Sequence, residues 1–144
     1  MNFKVFDPTY EQRTRANFES QGFMHHLGTE MTNLSPGYCE LKLSFRDELS
    51  QQHGYFHGGV IATLADVAGG YAAFTLLEAE ITNVTVEFKL SLLSPGVGQR
   101  LVARGSVVKS GRTLTISRSD VFCIDSEDKE ELCATALATY MSLR

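Results

Sequence analysis

The residues best suited to chemistry lie at and just inside the start of one apolar stretch. Gln51-Gln52-His53-Gly54-Tyr55-Phe56-His57-Gly58-Gly59 runs into that stretch, and Asp66, eight positions after Gly58, is the one residue from Gly58 to Leu77 that is charged at neutral pH, apart from the acid at Glu78 just beyond it. If the stretch is a helix, its first turn presents N–H groups without intrahelical partners and a partial positive charge of about half a unit. Glycine there lets a ligand approach the backbone closely. Such donors stabilise a carbonyl oxygen that becomes negative in a transition state. A carboxylate among apolar neighbours is costly to bury unless it is paired, hydrogen-bonded or used. Burial favours its neutral form and raises its basicity, which suits a general base; nucleophilic attack is the other chemical option. A purely structural Asp66, bonded to a nearby N–H or a Ser or Thr hydroxyl, stays open. Eight residues rise about 12 Å along a helix. Gly58 and Asp66 of one chain therefore cannot both contact one reacting atom unless the helix start bends. A dimer with paired antiparallel helices would bring Gly58 of one copy to Asp66 of the other.

Charge gives a separate clue. No acid occurs between Glu87 and Asp120, yet Lys89, Arg100, Arg104, Lys109, Arg112 and Arg118 all fall there, and acids then cluster at Asp120, Asp125, Glu127, Asp128, Glu130 and Glu131. A purely basic segment in a protein of net charge −4 fits contact with a phosphorylated ligand, Lys109-Ser110-Gly111-Arg112 at a turn being the phosphate contact. Cross-strand pairing of basic strands with acidic neighbours is the alternative. The overall negative charge and a pI near 5.5 argue against nucleic acid and against general attraction to anionic membranes. His53 and His57 have the chemistry of acids, bases or metal ligands, but no further spacing of His, Asp or Glu builds a zinc site. Their rings are expected to hold the loop in shape, and His25-His26 to lie at the surface or a rim. The sequence has no G-x-S-x-G elbow, no P-loop and no dinucleotide fingerprint. Cys39, Cys123 and Cys133 are an odd number, far apart, and read as core filler. With no apolar leader in the first twenty residues, a reduced cytoplasmic setting is expected.

These groups need elements to position them. At 144 residues and 15.9 kDa the chain fits one domain able to bury a core without disulfides or metals. Asp7-Pro8 predicts a helix start, running to about Gln21 with Tyr10 and Phe18 available to the core. A short strand is expected over 28–34. After the Pro36-Gly37 turn, Cys39, Leu41, Leu43 and Phe45 alternate with Glu40, Lys42 and Ser44, a half-exposed strand. From Gly58 to Leu77 apolar side chains point all round, which predicts a helix buried on every side. At about 30 Å it would be long enough for a bilayer, but Asp66 near its middle, four glycines and two threonines argue for a protein core. Val84, Val86, Phe88, Leu90 and Leu92 then alternate with Thr85, Glu87, Lys89 and Ser91 up to Ser94-Pro95-Gly96. Residues 100–109, 112–124 and 132–142 complete a run of antiparallel strands. The fold class expected is α+β, one long helix wrapped by a curved antiparallel sheet.

The order His57-Gly58-Gly59, Asp66 in an apolar helix, Gly69-Gly70, Val84-Thr85-Val86-Glu87-Phe88, Leu93-Ser94-Pro95-Gly96 and Lys109-Ser110-Gly111-Arg112 resembles the PaaI-type acyl-CoA thioesterases of the hotdog fold. The resemblance covers roughly residues 20–142, within a single domain spanning 1–144 and carrying 1–21 as an N-terminal helical extension. It implies a homodimer, often paired into a homotetramer, with active sites at the subunit interface. It implies that the Gly58 N–H polarises the thioester carbonyl, and that Asp66 of the opposite subunit is the base or nucleophile. Thr85 falls where relatives carry a Ser or Thr that positions the water. Gln51 falls where many relatives have Asn, a departure that leaves Gln52 and His53 as neighbouring alternatives. His57 is a further catalytic candidate. Gly59, Tyr55 and Phe56 are candidate substrate contacts, with Tyr71 and Phe74 beside the acyl group. Lys109 and Arg112 would meet the coenzyme A phosphates. The implied reaction is hydrolysis of an aromatic or medium-chain acyl-CoA, with no metal and no cofactor apart from the substrate's coenzyme A. A hotdog dehydratase or hydratase, using His57 or His53 as acid/base, and a non-catalytic acyl-CoA-binding protein are the alternatives.

Overall fold

Alternation becomes strands with one buried face, as pleating requires. A computed structural model describes residues 3–144. Its strands are β1 (Glu30–Ser35), β2 (Tyr38–Ser44), β3 (Thr82–Leu92), β4 (Arg100–Ser110), β5 (Leu114–Ile124) and β6 (Glu130–Leu143). They form one six-stranded antiparallel sheet in the order β1-β2-β4-β5-β6-β3. Helices α1 (Tyr10–Glu19) and α2 (Gly22–Leu27) precede the sheet, and α3 (Gly58–Phe74) packs on its inner face. That is the arrangement expected from the sequence.

The core lies between α3 and the inward residues of the sheet. Leu41, Leu64 and Leu101 are wholly buried, each worth roughly 1.5–3 kcal/mol relative to exposure. The alanines of β6 (Ala134, Ala136 and Ala138), all buried, give the helix room to approach. The approach is closest at Gly105 of β4, where a Cβ would lie 2.3 Å from the carbonyl carbon and oxygen of Ala68. Strand and helix touch there backbone to backbone. Cys39, Cys123 and Cys133 are free and buried, as core filler should be.

Several boundaries differ from expectation. Helix α1 begins at Tyr10, because the Asp7 carboxylate accepts bonds from the Thr9 N–H and hydroxyl and forms a turn ahead of the helix. Helix α2 was not anticipated. Helix α3 ends at Phe74 rather than Leu77: the Thr75 hydroxyl donates to the Ala72 carbonyl (2.7 Å) and accepts from the Gly37 N–H (2.8 Å), so the chain turns into the β1–β2 corner. Beyond that end, Arg13 of α1 donates to the carbonyls of Leu77 (2.9 Å), Ile81 (3.3 Å) and Phe74 (3.4 Å), lies over the Phe74 ring and contacts Asp7 at 2.8 Å.

Two departures bear on function. Helix α3 is not covered on every side: Gly59, Ala62, Thr63, Asp66, Val67 and Gly70, one face at helical spacing, stay at least partly open. Beside that face β3 pairs only with β6 and leaves its other edge free, with Val84, Val86, Phe88 and Leu92 exposed. The strict alternation of β3 is also broken. A register shift between Thr85 and Glu87 places Thr85 opposite Tyr140 and Phe88 opposite Ala138. The bulge at Val86 therefore turns Thr85 toward the helix, on the same side as Phe88.

Candidate active site

Asp66 sits at the middle of α3, half-buried on its open face. The Thr85 hydroxyl donates to its Oδ1 at 2.9 Å, which the bulge makes geometrically available. Partial burial holds the Asp66 carboxyl above its usual range, opposed by the hydrogen bond from Thr85. The Asn83 amide donates to the Gly70 carbonyl at 3.0 Å, and the Tyr140 hydroxyl to the Asp66 carbonyl at 2.7 Å, so strand and helix are tied on both sides of the carboxylate. A hollow of about 220 Å³ opens in front of it, with Asn17, Gln21, Tyr71, Asn83, Thr85 and Tyr140 in its walls.

Gly58 lies elsewhere. It opens α3 and lines a groove of about 480 Å³ with Gln51, Tyr55, Phe56, Leu92 and the Ser94-Pro95-Gly96 turn. His57 is the N-cap: its Nδ1 accepts from the Gly59 N–H at 2.8 Å. That bond occupies Gly59 and leaves the Gly58 N–H unbonded among the described residues. Gln51 accepts on its side-chain oxygen from the His53 N–H and lines the groove, while Gln52 and His53 are exposed. Phe56 is buried against Phe45, and Tyr55 is half open. Of the aromatics placed beside the acyl group, Tyr71 lines the Asp66 hollow; Phe74 does not, because it packs beneath Arg13 in the core.

Cross-strand and local pairing accounts for three residues of the basic segment. Arg104 bridges Glu40 and Glu130, Arg100 meets Asp128 and Arg118 meets Asp120. These are cross-strand and local pairs. Lys109 and Arg112 form no ion pair among the described residues and stand exposed at the β4–β5 turn. Asn17, Gln21, Asn83 and Tyr140 were not anticipated in the site. Asn17 and Gln21 carried one signal, an i,i+4 polar pair flanking the core-facing Phe18.

The arrangement has a carboxylate with a hydroxyl partner at the middle of one helix and, at the start of that helix, an unpaired N–H in an apolar groove, groups of the kind that acyl transfer uses. Comparison with known proteins agrees. Residues 53–129, over half of the chain, match the thioesterase superfamily. A crystal structure of a thioesterase family protein from Silicibacter pomeroyi is 42% identical, superposes with a TM-score of 0.91 and covers 93% of this chain and 98% of its own. The medium/long-chain acyl-CoA thioesterase YigI of Escherichia coli is 27% identical over 135 residues, 83% of this chain and 84% of that protein. The PaaI protein from the phenylacetic acid degradation operon of Escherichia coli, 18% identical with a TM-score of 0.83 over 96% of each chain, shares the fold. The chain has the hotdog fold and belongs to the thioesterase superfamily, and its reaction is the hydrolysis of a thioester.

Proposed function

We propose that this protein hydrolyses acyl-CoA thioesters to a free carboxylic acid and coenzyme A, in active sites assembled between two copies of the chain. One observation carries the reading: Asp66 and the Gly58 N–H face separate hollows at different points of one unbroken helix. Pairing two copies about the open face of α3 and the free edge of β3 brings the halves together and covers Val84, Val86 and Phe88. Gly58 of one copy holds the thioester carbonyl oxygen, aided by the positive end of α3. Asp66 of the other takes a proton from water, or attacks the carbonyl carbon itself. Thr85 and the Gln51 amide orient carboxylate, water and thioester, and the thiolate of coenzyme A leaves. His57 acts by capping α3, so that the Gly58 donor stays unpaired.

Exposed Lys109 and Arg112 are the phosphate contacts. The acyl group, aromatic or of medium length, lies between the subunits; the small hollow at Asp66 favours a compact one. No metal or cofactor enters this mechanism. Exposed Leu114 and Leu137 on the outer face of the sheet favour a pair of dimers. Three free cysteines favour a reducing, cytoplasmic setting, and no helix among the described residues is long and apolar enough to cross a membrane.

The test is thiol release from short, medium, long and aromatic acyl-CoAs by the wild type and Asp66→Asn. Release by the wild type with a loss of about 100-fold or more in the variant is expected. Equal release by two folded proteins would remove Asp66 from the chemistry.

A further inference from the structure

The hollow in front of Asp66 ends on polar groups that hydrolysis does not require. Tyr71 is 5% exposed, its ring packed edge-on between Phe18 and Phe74. Its hydroxyl donates to Asn17 Oδ1 at 2.9 Å and accepts from Gln21 Nε2 at 2.9 Å. Through that hydroxyl one amide turns its oxygen and the other its nitrogen to the tyrosine. Asn17 is left with its Nδ2 donors and Gln21 with its Oε1 acceptor, neither bonded among the described residues, and both side chains line the hollow that holds Asp66. A donor and an acceptor side by side match a hydroxyl group, which is both. Tyr140, Gly70, Tyr71 and Asn17, near the end of α1, line the hollow together with Asp66. In the reading above the acyl group enters here, and the coenzyme A arm continues to its nucleotide outside.

We propose that Asn17 and Gln21, oriented by Tyr71, are specificity residues that select acyl groups bearing a hydroxyl beyond the reactive carbonyl. This rests on the thioesterase reading and deepens it. An acyl group without the hydroxyl forgoes both hydrogen bonds, and a site built for a hydroxyl discriminates against the analogue lacking it. Both amides lie outside residues 53–129, the part that matches the family.

The experiment measures kcat/KM for two acyl-CoAs of equal chain length, one with a terminal hydroxyl and one without. It compares wild type, the double variant Asn17→Leu with Gln21→Leu, and Asn17→Asp, which is nearly isosteric and keeps the acceptor for Tyr71 while removing the donors. The wild type is expected to prefer the hydroxylated thioester by roughly 10- to 100-fold. The double variant should bring the ratio near one while still releasing thiol from the plain thioester, and Asn17→Asp should lower the ratio with the fold intact. A wild type without preference overturns the proposal, as does a ratio unchanged in both variants. An equal loss on both thioesters would assign the amides to the coenzyme A arm and overturn it too. Absence of thiol release from any thioester by the wild type is a different result, and would sink the hydrolase reading together with this one.

Discussion

At the scale of single residues, Asp66 experiences opposing influences. Desolvation favours its proton, and the Thr85 hydrogen bond favours its loss; burial is the larger effect, so the folded chain holds this proton above the usual pH. A base must be ionised to act, so the acid limb of kcat/KM should fall above the ordinary Asp value of about 3.9. Stability carries the opposite sign. Between the unfolded and the raised folded value the native state binds more protons than the unfolded chain, so this group's contribution falls as pH rises through that window. Urea unfolding of wild type and Asp66→Asn across mildly acidic pH should show that slope in the wild type and not in the variant. Gly58 offers a cleaner deletion. The preceding His57 has φ −63° and ψ 137°, the extended conformation that a following proline demands, and proline is at home in the first helical turn. A Cβ there meets only the tip of the Leu92 side chain, at 3.2 Å. Gly58→Pro should therefore fold, lose the N–H and lower kcat by about 10²–10³-fold, as loss of an oxyanion donor does. Near-normal turnover by a folded variant would move the oxyanion site elsewhere.

At the scale of elements, α1 acts as a clamp on the end of the catalytic helix. The Arg13 guanidinium meets three carbonyls beyond the last turn of α3, where the helix dipole is negative and a cation is favoured. That holds the 75–81 connection, and with it the point from which β3 starts toward Thr85. Arg13→Met keeps much of the packing over Phe74 and should cost about 1.5–3 kcal/mol, the range for hydrogen bonds from a charged group, read as a shift in the urea midpoint. None of this could be read from the chain alone. Periodicity made β2, β4, β5 and β6 legible, because each buries one face against the core, and it located α3 through its lack of charge. It failed where tertiary bonds override pattern. Thr75 stops α3 by bonding to Gly37, thirty-eight positions away. The Val86 bulge is silent in a sequence that alternates without a break, yet it sets the direction of Thr85. Asp66 and Gly58 were legible for a physical reason, since a lone carboxylate and a glycine-led helix start are anomalies in an apolar stretch. Asn17, Gln21 and Tyr140 were not, because polar residues on a surface helix and one tyrosine in a strand are ordinary until the fold brings them to one hollow.

At the scale of the whole molecule, the proposed mechanism takes one Asp66 and one Gly58 from different copies for each active site, and mixing tests this directly. Asp66→Asn and Gly58→Pro chains, each nearly inactive alone, should regain about a quarter of wild-type turnover after co-refolding at equal amounts, since half of the dimers are mixed and each holds one intact site of two. No recovery from properly mixed dimers would place both groups in one chain. The contact of Gly105 with the Ala68 backbone has its own consequence, for how such a protein can evolve. Where a strand touches a helix without side chains there is nothing to trade: any Cβ at position 105 displaces the helix that carries Asp66 and Gly58. Helix α1, by contrast, meets the site through long polar side chains that can be exchanged singly. New acyl preferences are thus reachable by drift at the N-terminal end, while the catalytic helix stays fixed by a contact that admits no gradual change.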